Sequence, residues 1–369
     1  MAINLVEKFS PAVDELFAAE SKKSLLTNQN YDWSGAHTVK IYTVTTSSMN
    51  DYDRNPNSEN LSRYGTVSDL AATTASYTLT KDRSFTFAID KLDRNETGDA
   101  LEAAAALARQ QREVIIPEID AYTYGVMASG AGTKPAAVVL TASNIYDEIL
   151  KGSSVLDDNY VPEDGRVLVV SPEVYVLIKK STDITKNGDV GAELRAKGVV
   201  GMLDGMKVVK VPASRLPAAF GFMIAHPVAT VAPVKLEDYK VHEDPPGISG
   251  NLVEGRVCYD AFVLANKAKG IYYQAMAPAA LTVTSAAGSA SGKTALTVEP
   301  ALGSGNEYKY KVGTAATAVT YHMTVSDGWT SWDGSADITA ASGKILTLVE
   351  ATSDHKAIKA GTATVTAAT

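Results

Sequence analysis

Ser84-Phe-Thr-Phe-Ala-Ile89, followed closely by Ala100-Leu-Glu-Ala-Ala-Ala-Ala-Leu-Ala-Arg109, sets a strand directly ahead of a long helix. In the first segment Phe85, Phe87 and Ile89 alternate with small or polar residues. A period of two puts all three side chains on one face of a strand. The second segment is almost wholly alanine and leucine, which are strong helix formers. Thr97 can cap it, while Asp99 and Glu102 set negative charge against the positive end of its dipole. Pro117 is expected to kink or interrupt the helix before residues 119–127, and Gly130 and Gly132 to end it.

Upstream, His37-Thr-Val-Lys-Ile-Tyr-Thr-Val-Thr-Thr46 is another β-type run, and Ser76-Tyr-Thr-Leu-Thr-Lys81 leads into the opening strand. Between them Asn50, Asp51, Asp53, Asn55, Pro56, Asn57, Ser58 and Gly65 make a long stretch of turn residues. The pattern predicts a hairpin with an extended tip over residues 36–90. Such a hairpin has too little core to be stable alone in water. It needs a surface to rest on, and another chain can supply one. In residues 2–26, Leu5, Phe9, Val13, Leu16 and Phe17 recur near helical spacing, interrupted by Pro11. This reads as an amphipathic arm that lies either on its own domain or across a neighbour.

Downstream, Ser143 can cap a short helix carrying Ile145, Ile149 and Leu150. Residues 166–170 form a buried-type strand, and Ser171-Pro-Glu173 then supplies an N-cap, an N1 proline and an early acid. Residues 207–211 and 221–225 read as further strands, with Gly201-Met-Leu-Asp-Gly205 as a turn. Residues 252–264 and 270–274 read as a closing strand pair turned at 266–270. The mixture predicts an α+β body. Beyond Pro278, Ala, Thr, Ser and Gly dominate. Short β-type runs at 280–284, 295–298, 308–312, 319–325 and 344–349, separated by turn signals, predict a small β-sandwich, Ig-like in character. Its Trp329 and Trp332 would favour glycan binding if exposed as a platform, and plain core packing if buried.

The chain has 369 residues, 45% apolar and 21% charged, with a formal net charge of -8. That charge argues against a protein that grips nucleic acid through a basic face, though not against a container that encloses it. The single cysteine, Cys258, sits in an apolar run and reads as a small hydrophobe. No stretch reaches the ~20 apolar residues of a membrane-spanning helix, and Met1 to Glu20 lacks the form of a signal peptide. The histidines at 37, 226, 242, 322 and 355 show no metal-ligand spacing. Ser291-Gly-Lys-Thr294 lacks the upstream glycine of a phosphate loop, since Ala287 stands there. The acid pairs at 157–158, 163–164 and 243–244 lie among turn residues and read as solvated. No catalytic, cofactor-binding or metal-binding residues are expected, and the chain reads as a non-enzyme.

The order of elements, together with Val167-Leu-Val-Val-Ser-Pro-Glu-Val-Tyr175, Phe222-Met-Ile-Ala-His-Pro-Val228, Leu236-Glu-Asp-Tyr-Lys-Val241 and Gly255-Arg-Val-Cys-Tyr-Asp-Ala-Phe-Val-Leu-Ala-Asn-Lys-Ala-Lys-Gly-Ile-Tyr272, resembles the major capsid proteins of tailed bacteriophages, with the Hong Kong 97-like fold. The likeness covers about residues 1–278. It implies an N-terminal arm at 1–35, an extended loop at 36–92, and a spine helix with the peripheral domain at 93–139. An axial domain at 140–245 and peripheral return strands at 246–280 follow, and the C-terminal β-domain at 281–369 lies outside the minimal fold. It further implies hexamers and pentamers of identical copies closing into an icosahedral shell in the virion, assembled in the host bacterial cytoplasm. That shell would enclose double-stranded DNA without sequence-specific binding, with a separate scaffolding protein and a portal as partners. Candidate interface residues are Asp51, Asp53, Arg54, Glu59 and Arg63 at the loop tip and Phe9 and Phe17 on the arm. Some relatives cross-link through a loop lysine, but residues 47–80 contain none, so that linkage is not expected. An encapsulin-like compartment shell, or a carbohydrate-binding or adhesive protein acting through the C-terminal β-domain, are the alternative readings.

Overall fold

Strand β1 (Thr38–Val44) pairs antiparallel with β2 (Ala72–Thr78), running from Thr38 opposite Thr78 to Val44 opposite Ala72. The expected hairpin is therefore present, but shorter than its predicted span. The alternating strand β3 (Lys81–Asp90) leaves it and enters another sheet. The computed structural model describes residues 21–28, 30, 38–44, 47–54, 62–65, 69, 72–92, 103–181 and 201–369. The arm's Phe9 and Phe17, Glu59 of the tip, and the Thr97 cap with Asp99 and Glu102 lie outside the described residues.

The helix follows as α1 (Ala103–Gln110), a π-helical turn (Gln111–Ile115) and α2 (Ile116–Gly130). Pro117 does not break it. Proline lacks the N–H that would close an α-turn, and a π turn just ahead of it shifts the hydrogen-bond ladder where that donor is missing. Helix α3 (Ile145–Asp158) is longer than the short helix expected, and Ser143 does not cap it: its hydroxyl bonds Thr141, while Asn144 Oδ1 accepts from the Thr141 amide. Strand β4 (Val167–Val170), buried at every position, runs into α4 (Pro172–Lys180), where Ser171 accepts from the Val174 amide as predicted. Then come β5 (Met202–Leu203), β6 (Met206–Lys210), β7 (Phe220–Ala225), β8 (Thr230–Val231), β9 (Val234–Glu243), β10 (Gly250–Tyr259), β11 (Phe262–Val263) and β12 (Ile271–Ala275). The C-terminal part holds β13 (Ala279–Ala280), β14 (Thr282–Ala287), β15 (Lys293–Glu299), β16 (Glu307–Gly313), β17 (Thr330–Trp332), β18 (Ile338–Thr339), β19 (Ile345–Ala351) and β20 (Ala357–Thr364).

Two units emerge, residues 1–126 with 230–267 and residues 127–229 with 268–369. In the first, β10 is the centre of a sheet ordered β3-β10-β9, and β8 pairs with β11. Val257 and Tyr259 of β10 pack with Ile119 of α2, while Ile89 and Val253 pack with Phe85, Phe87 and the helix residues Ala106 and Leu107. In the second unit a mixed sheet, ordered β12-β7-β4-β6-β5, carries α3 and α4 over a core that includes Ile149, Leu156, Leu168, Ile178, Phe222 and Ile224. The expected closing pair of 252–264 with 270–274 does not form. β10 pairs with β3 and β9, whereas β12 pairs with β7. Adjacency in sequence suggested a hairpin, but the six-residue 3₁₀ turn Ala265–Gly270 carries the chain away to a different sheet.

The C-terminal segment, rich in alanine, threonine, serine and glycine, forms two sheets, β13-β20-β19-β16-β17 and β14-β15-β18. Leu281, Val283, Ile338, Leu346, Leu348 and Trp332 form the core of these strands. Buried Trp332 donates its ring N–H to the Ala336 carbonyl, and half-buried Trp329 packs against a second cluster with Val325 and Val349. Core packing is thus the role of both tryptophans. Residues 319–325 do not make the predicted strand. His322 turns at φ 59, and only an isolated bridge joins Thr324 to Lys356. Asp337 accepts from the Ser289 amide and hydroxyl, which hold its carboxyl below the usual range. A carboxylate depressed in the fold stabilises above its unfolded pKa of about 3.9 and ceases to do so as pH falls through the folded value. Urea midpoints of the wild type are therefore expected to drop between about pH 5 and pH 3, and Asp337→Asn to flatten that drop.

Candidate subunit interface

At the hairpin tip the chain is closed by its own backbone. The Asp53 amide donates to the Arg63 carbonyl at 2.9 Å, and Asn50 Nδ2 to the Tyr64 carbonyl at 3.2 Å. Tyr52 and Tyr64 meet edge-to-face at 5.2 Å. Gly65 sits at φ 87, where a Cβ would strike Asn50 at 2.7 Å. The structure thus brings Asp53 and Arg63 together through main chain. Asp51, Asp53, Arg54 and Arg63 are all exposed, as are Met49, Tyr52 and Tyr64. Among the described residues Asp51, Arg54 and Arg63 form no salt bridge within the chain, so their charges remain open to a neighbour.

At its base the hairpin is fastened to its own unit. Leu79 is buried with Val231 and Leu264, and the rings of Tyr77 and Phe262 lie 5.2 Å apart. The fastening centres on Asp260, which is 3% exposed. One carboxylate oxygen accepts from both the amide and the hydroxyl of Thr80, each at 2.8 Å. The other accepts from the Tyr122 phenol at 2.8 Å and the Ala261 amide at 2.7 Å. Burial first, and then the bond to Asp260, raise the Tyr122 pKa, so the phenol remains a donor. Lys81 lies 5.0 Å over the Tyr122 ring. Next along β3, Asp82 receives Arg256 in a bidentate pair, and Arg83 meets Glu118 at 2.9 Å. Glu118 also accepts from Tyr259, whose phenol burial and that bond push up to about 12.

Sequence reading placed the tip charges but missed Asp260, Thr80 and Tyr122. A signal existed: Asp260 is the lone acid in the otherwise apolar run Tyr259-Asp-Ala-Phe-Val-Leu264. A buried charge there requires several donors.

Elsewhere the groups considered for chemistry are satisfied structurally. His226 Nε2 lies 3.2 Å from the Asp164 carbonyl, and His242 pairs with Glu254. Ser291 and Gly292 lie in the link between β14 and β15 while Lys293 and Thr294 begin β15, with no helix N-terminus there to hold phosphate. Asp157 is exposed as expected, but it lies in the last turn of α3, not in a loop, and binds buried Arg166 at 2.7 Å. Cys258 is half-buried beside Leu79 and Val231, more exposed than the buried hydrophobe expected. Among the described residues no cluster of His, Cys, Asp or Glu could hold a metal, and no helix is long and apolar enough to cross a membrane.

Comparison with solved structures finds the same fold in several phage capsids. A structure described as Mycobacterium phage Che8 aligns at a TM-score of 0.57 and 20% identity, over 74% of this chain and 98% of that one. The capsid of cyanophage P-SCSP1u aligns at 0.60 and 15% identity, over 74% and 93%. The mature capsid of bacteriophage PhiM1 aligns at 0.56 and 16%, over 74% and 92%. No curated protein matches the chain. A family model described as phage capsid protein matches residues 72–274. The match takes in β2, the helices α1 and α2, the mixed sheet and the link between β10 and β11 that carries Asp260, and on it the chain belongs to the phage capsid protein family, whose role is structural.

Proposed function

We propose that many copies of this chain assemble, as hexamers and pentamers, into the icosahedral head shell that encloses double-stranded DNA. The observation that carries this reading is the hairpin. Its base is fixed by a buried carboxylate, while its exposed tip presents Asp51, Arg54 and Arg63, which form no salt bridge among the described residues. A thin two-stranded ribbon gains stability by lying on a sister subunit, and repeated heterologous contacts of this kind close into shells. Asp51, Asp53, Arg54, Glu59 and Arg63 on the tip, with Phe9 and Phe17 on the arm, are the proposed contact residues. In this reading β1 and β2 form the extended loop, α1 and α2 the spine, the mixed sheet the axial domain, and residues 281–369 a decoration domain. The net charge of -8 suits a wall that surrounds DNA without gripping it. A separate scaffolding protein and a portal, met in the host bacterial cytoplasm, complete the proposed assembly.

Reversing both tip arginines, Arg54→Glu with Arg63→Glu, is expected to reduce shell yield at least severalfold in negative-stain micrographs and sedimentation. The subunit's circular dichroism and urea midpoint should stay at wild-type values, since exposed charges contribute little to folding. Wild-type shell yields from the double variant would overturn the assignment of the tip.

A further inference from the structure

In the C-terminal sheet one carboxylate holds an amine and a carboxamide together. Glu350, fully buried on β19, lies directly opposite Lys359 of β20. Its Oε2 meets Lys359 Nζ at 2.7 Å, and its Oε1 accepts from Asn306 Nδ2 at 2.6 Å. Asn306 stands just ahead of β16, the strand on the other side of β19, and its amide closes a turn on the Gly303 carbonyl. The Gly303 amide donates to Oε1 at 3.1 Å. A side chain at position 303 would crowd the site, because its Cβ would fall 2.7 Å from Asn306 Nδ2 and 2.9 Å from Glu350 Oε1. Buried Tyr308 pairs across from Glu350, and the Lys359 side chain is 24% exposed against 1% for Glu350.

We propose that this lysine, glutamate and asparagine form an intramolecular isopeptide bond between Lys359 and Asn306, with Glu350 carrying the protons. Burial raises the Glu350 carboxyl, but the bonds from Lys359, Asn306 and the Gly303 amide outweigh it and hold it below the usual carboxylate range, so the pair rests as ammonium and carboxylate. The reaction passes through the minor form in which the proton has crossed, leaving a neutral amine and a carboxylic acid. The Lys359 nitrogen lone pair attacks Asn306 Cγ. Glu350 gives its proton to the former amide nitrogen and takes one from Nζ. The Cγ–Nδ2 bond breaks, the Nζ–Cγ amide remains, and ammonia leaves with the last proton as ammonium, restoring the carboxylate. No oxidant, metal or second substrate is consumed. Holding both reactants on one carboxylate supplies the proximity that makes amine attack on a carboxamide feasible. The bond would join two strands of one chain that flank β19, and so is distinct from any linkage between copies.

Intact mass spectrometry of the full-length chain, purified folded and then denatured, tests this. The wild type is expected to be lighter than its sequence mass by one ammonia, and tandem fragmentation should yield a joined peptide containing Asn306 and Lys359. Glu350→Gln, Lys359→Arg and Asn306→Ala should each appear at full sequence mass. A wild-type chain at full sequence mass, or an ammonia deficit that persists in Lys359→Arg or maps elsewhere, would overturn the proposal. The wild-type measurement decides even where a variant fails to fold.

Discussion

Replacing Asp260 with alanine is expected to destabilise the hairpin-bearing unit by about 2–3 kcal/mol, since the buried Ala261 amide and the part-buried donors of Thr80 and Tyr122 lose their acceptor, and an unsatisfied buried donor costs roughly 1–3 kcal/mol while a part-buried one can turn to water. The Thr80 amide and hydroxyl, the Tyr122 phenol and the Ala261 amide all converge on this carboxylate. Because Thr80 lies two residues past the end of β2, the loss should appear first as faster amide exchange through residues 72–80, and then as a lower midpoint in urea. Asp260→Asn keeps one acceptor oxygen and turns donor hydrogens toward groups that are themselves donors, so about half the loss should return. An alanine variant with wild-type midpoint and exchange would show that the hairpin is held by the Leu79 cluster alone. For a structural capsid protein the consequence is geometric, because a loop with a loosened base presents its tip charges in no fixed place.

Gly250→Ala is the second large effect, at about 3 kcal/mol or more from strain and overpacking together. Gly250 begins β10 opposite Asp90 at φ +140, and an added Cβ would stand 2.1 Å from the Ile89 carbonyl oxygen and 2.9 Å from the Lys91 amide nitrogen. Both obstacles are backbone, so relief requires β3 and β10 to separate at that end. The turn there is also tied, since the Gly250 amide donates to Asp244 Oδ1 and its carbonyl accepts from the Asp244 amide. Gly205→Ala is the control. It too has positive φ, +71, but nothing lies within 4 Å of its Cβ, so only the left-handed strain of roughly 1–2 kcal/mol is expected. Equal melting temperatures for the two variants would show that backbone conformation, and not the approach of β3, decides the cost.

Several elements were legible because their cause is local. Ser171-Pro-Glu173 starts α4 through a side-chain cap and a fixed proline φ, and Phe85, Phe87 and Ile89 make β3 through alternation. Strand β20 was missed, because Ala357-Ile-Lys-Ala-Gly-Thr-Ala-Thr364 is too small and polar to announce a strand; its pairing with β19 forms it. Residues 319–325 erred the other way. Their β-rich composition is overruled where His322 turns and Tyr321 donates to Glu173 at 2.5 Å.

By itself the sequence determined the kinds of element, their order, the capsid-like arrangement and the exposed charged tip, since periodicity, caps and turn residues act over a few positions. Tertiary structure alone decided that β3 joins β10 and leaves the hairpin, that β12 crosses to another sheet, and that Asp260 meets Thr80 and Tyr122. Strand partners and buried polar contacts depend on residues far apart in the chain, and no local pattern encodes which distant donor a buried carboxylate will find.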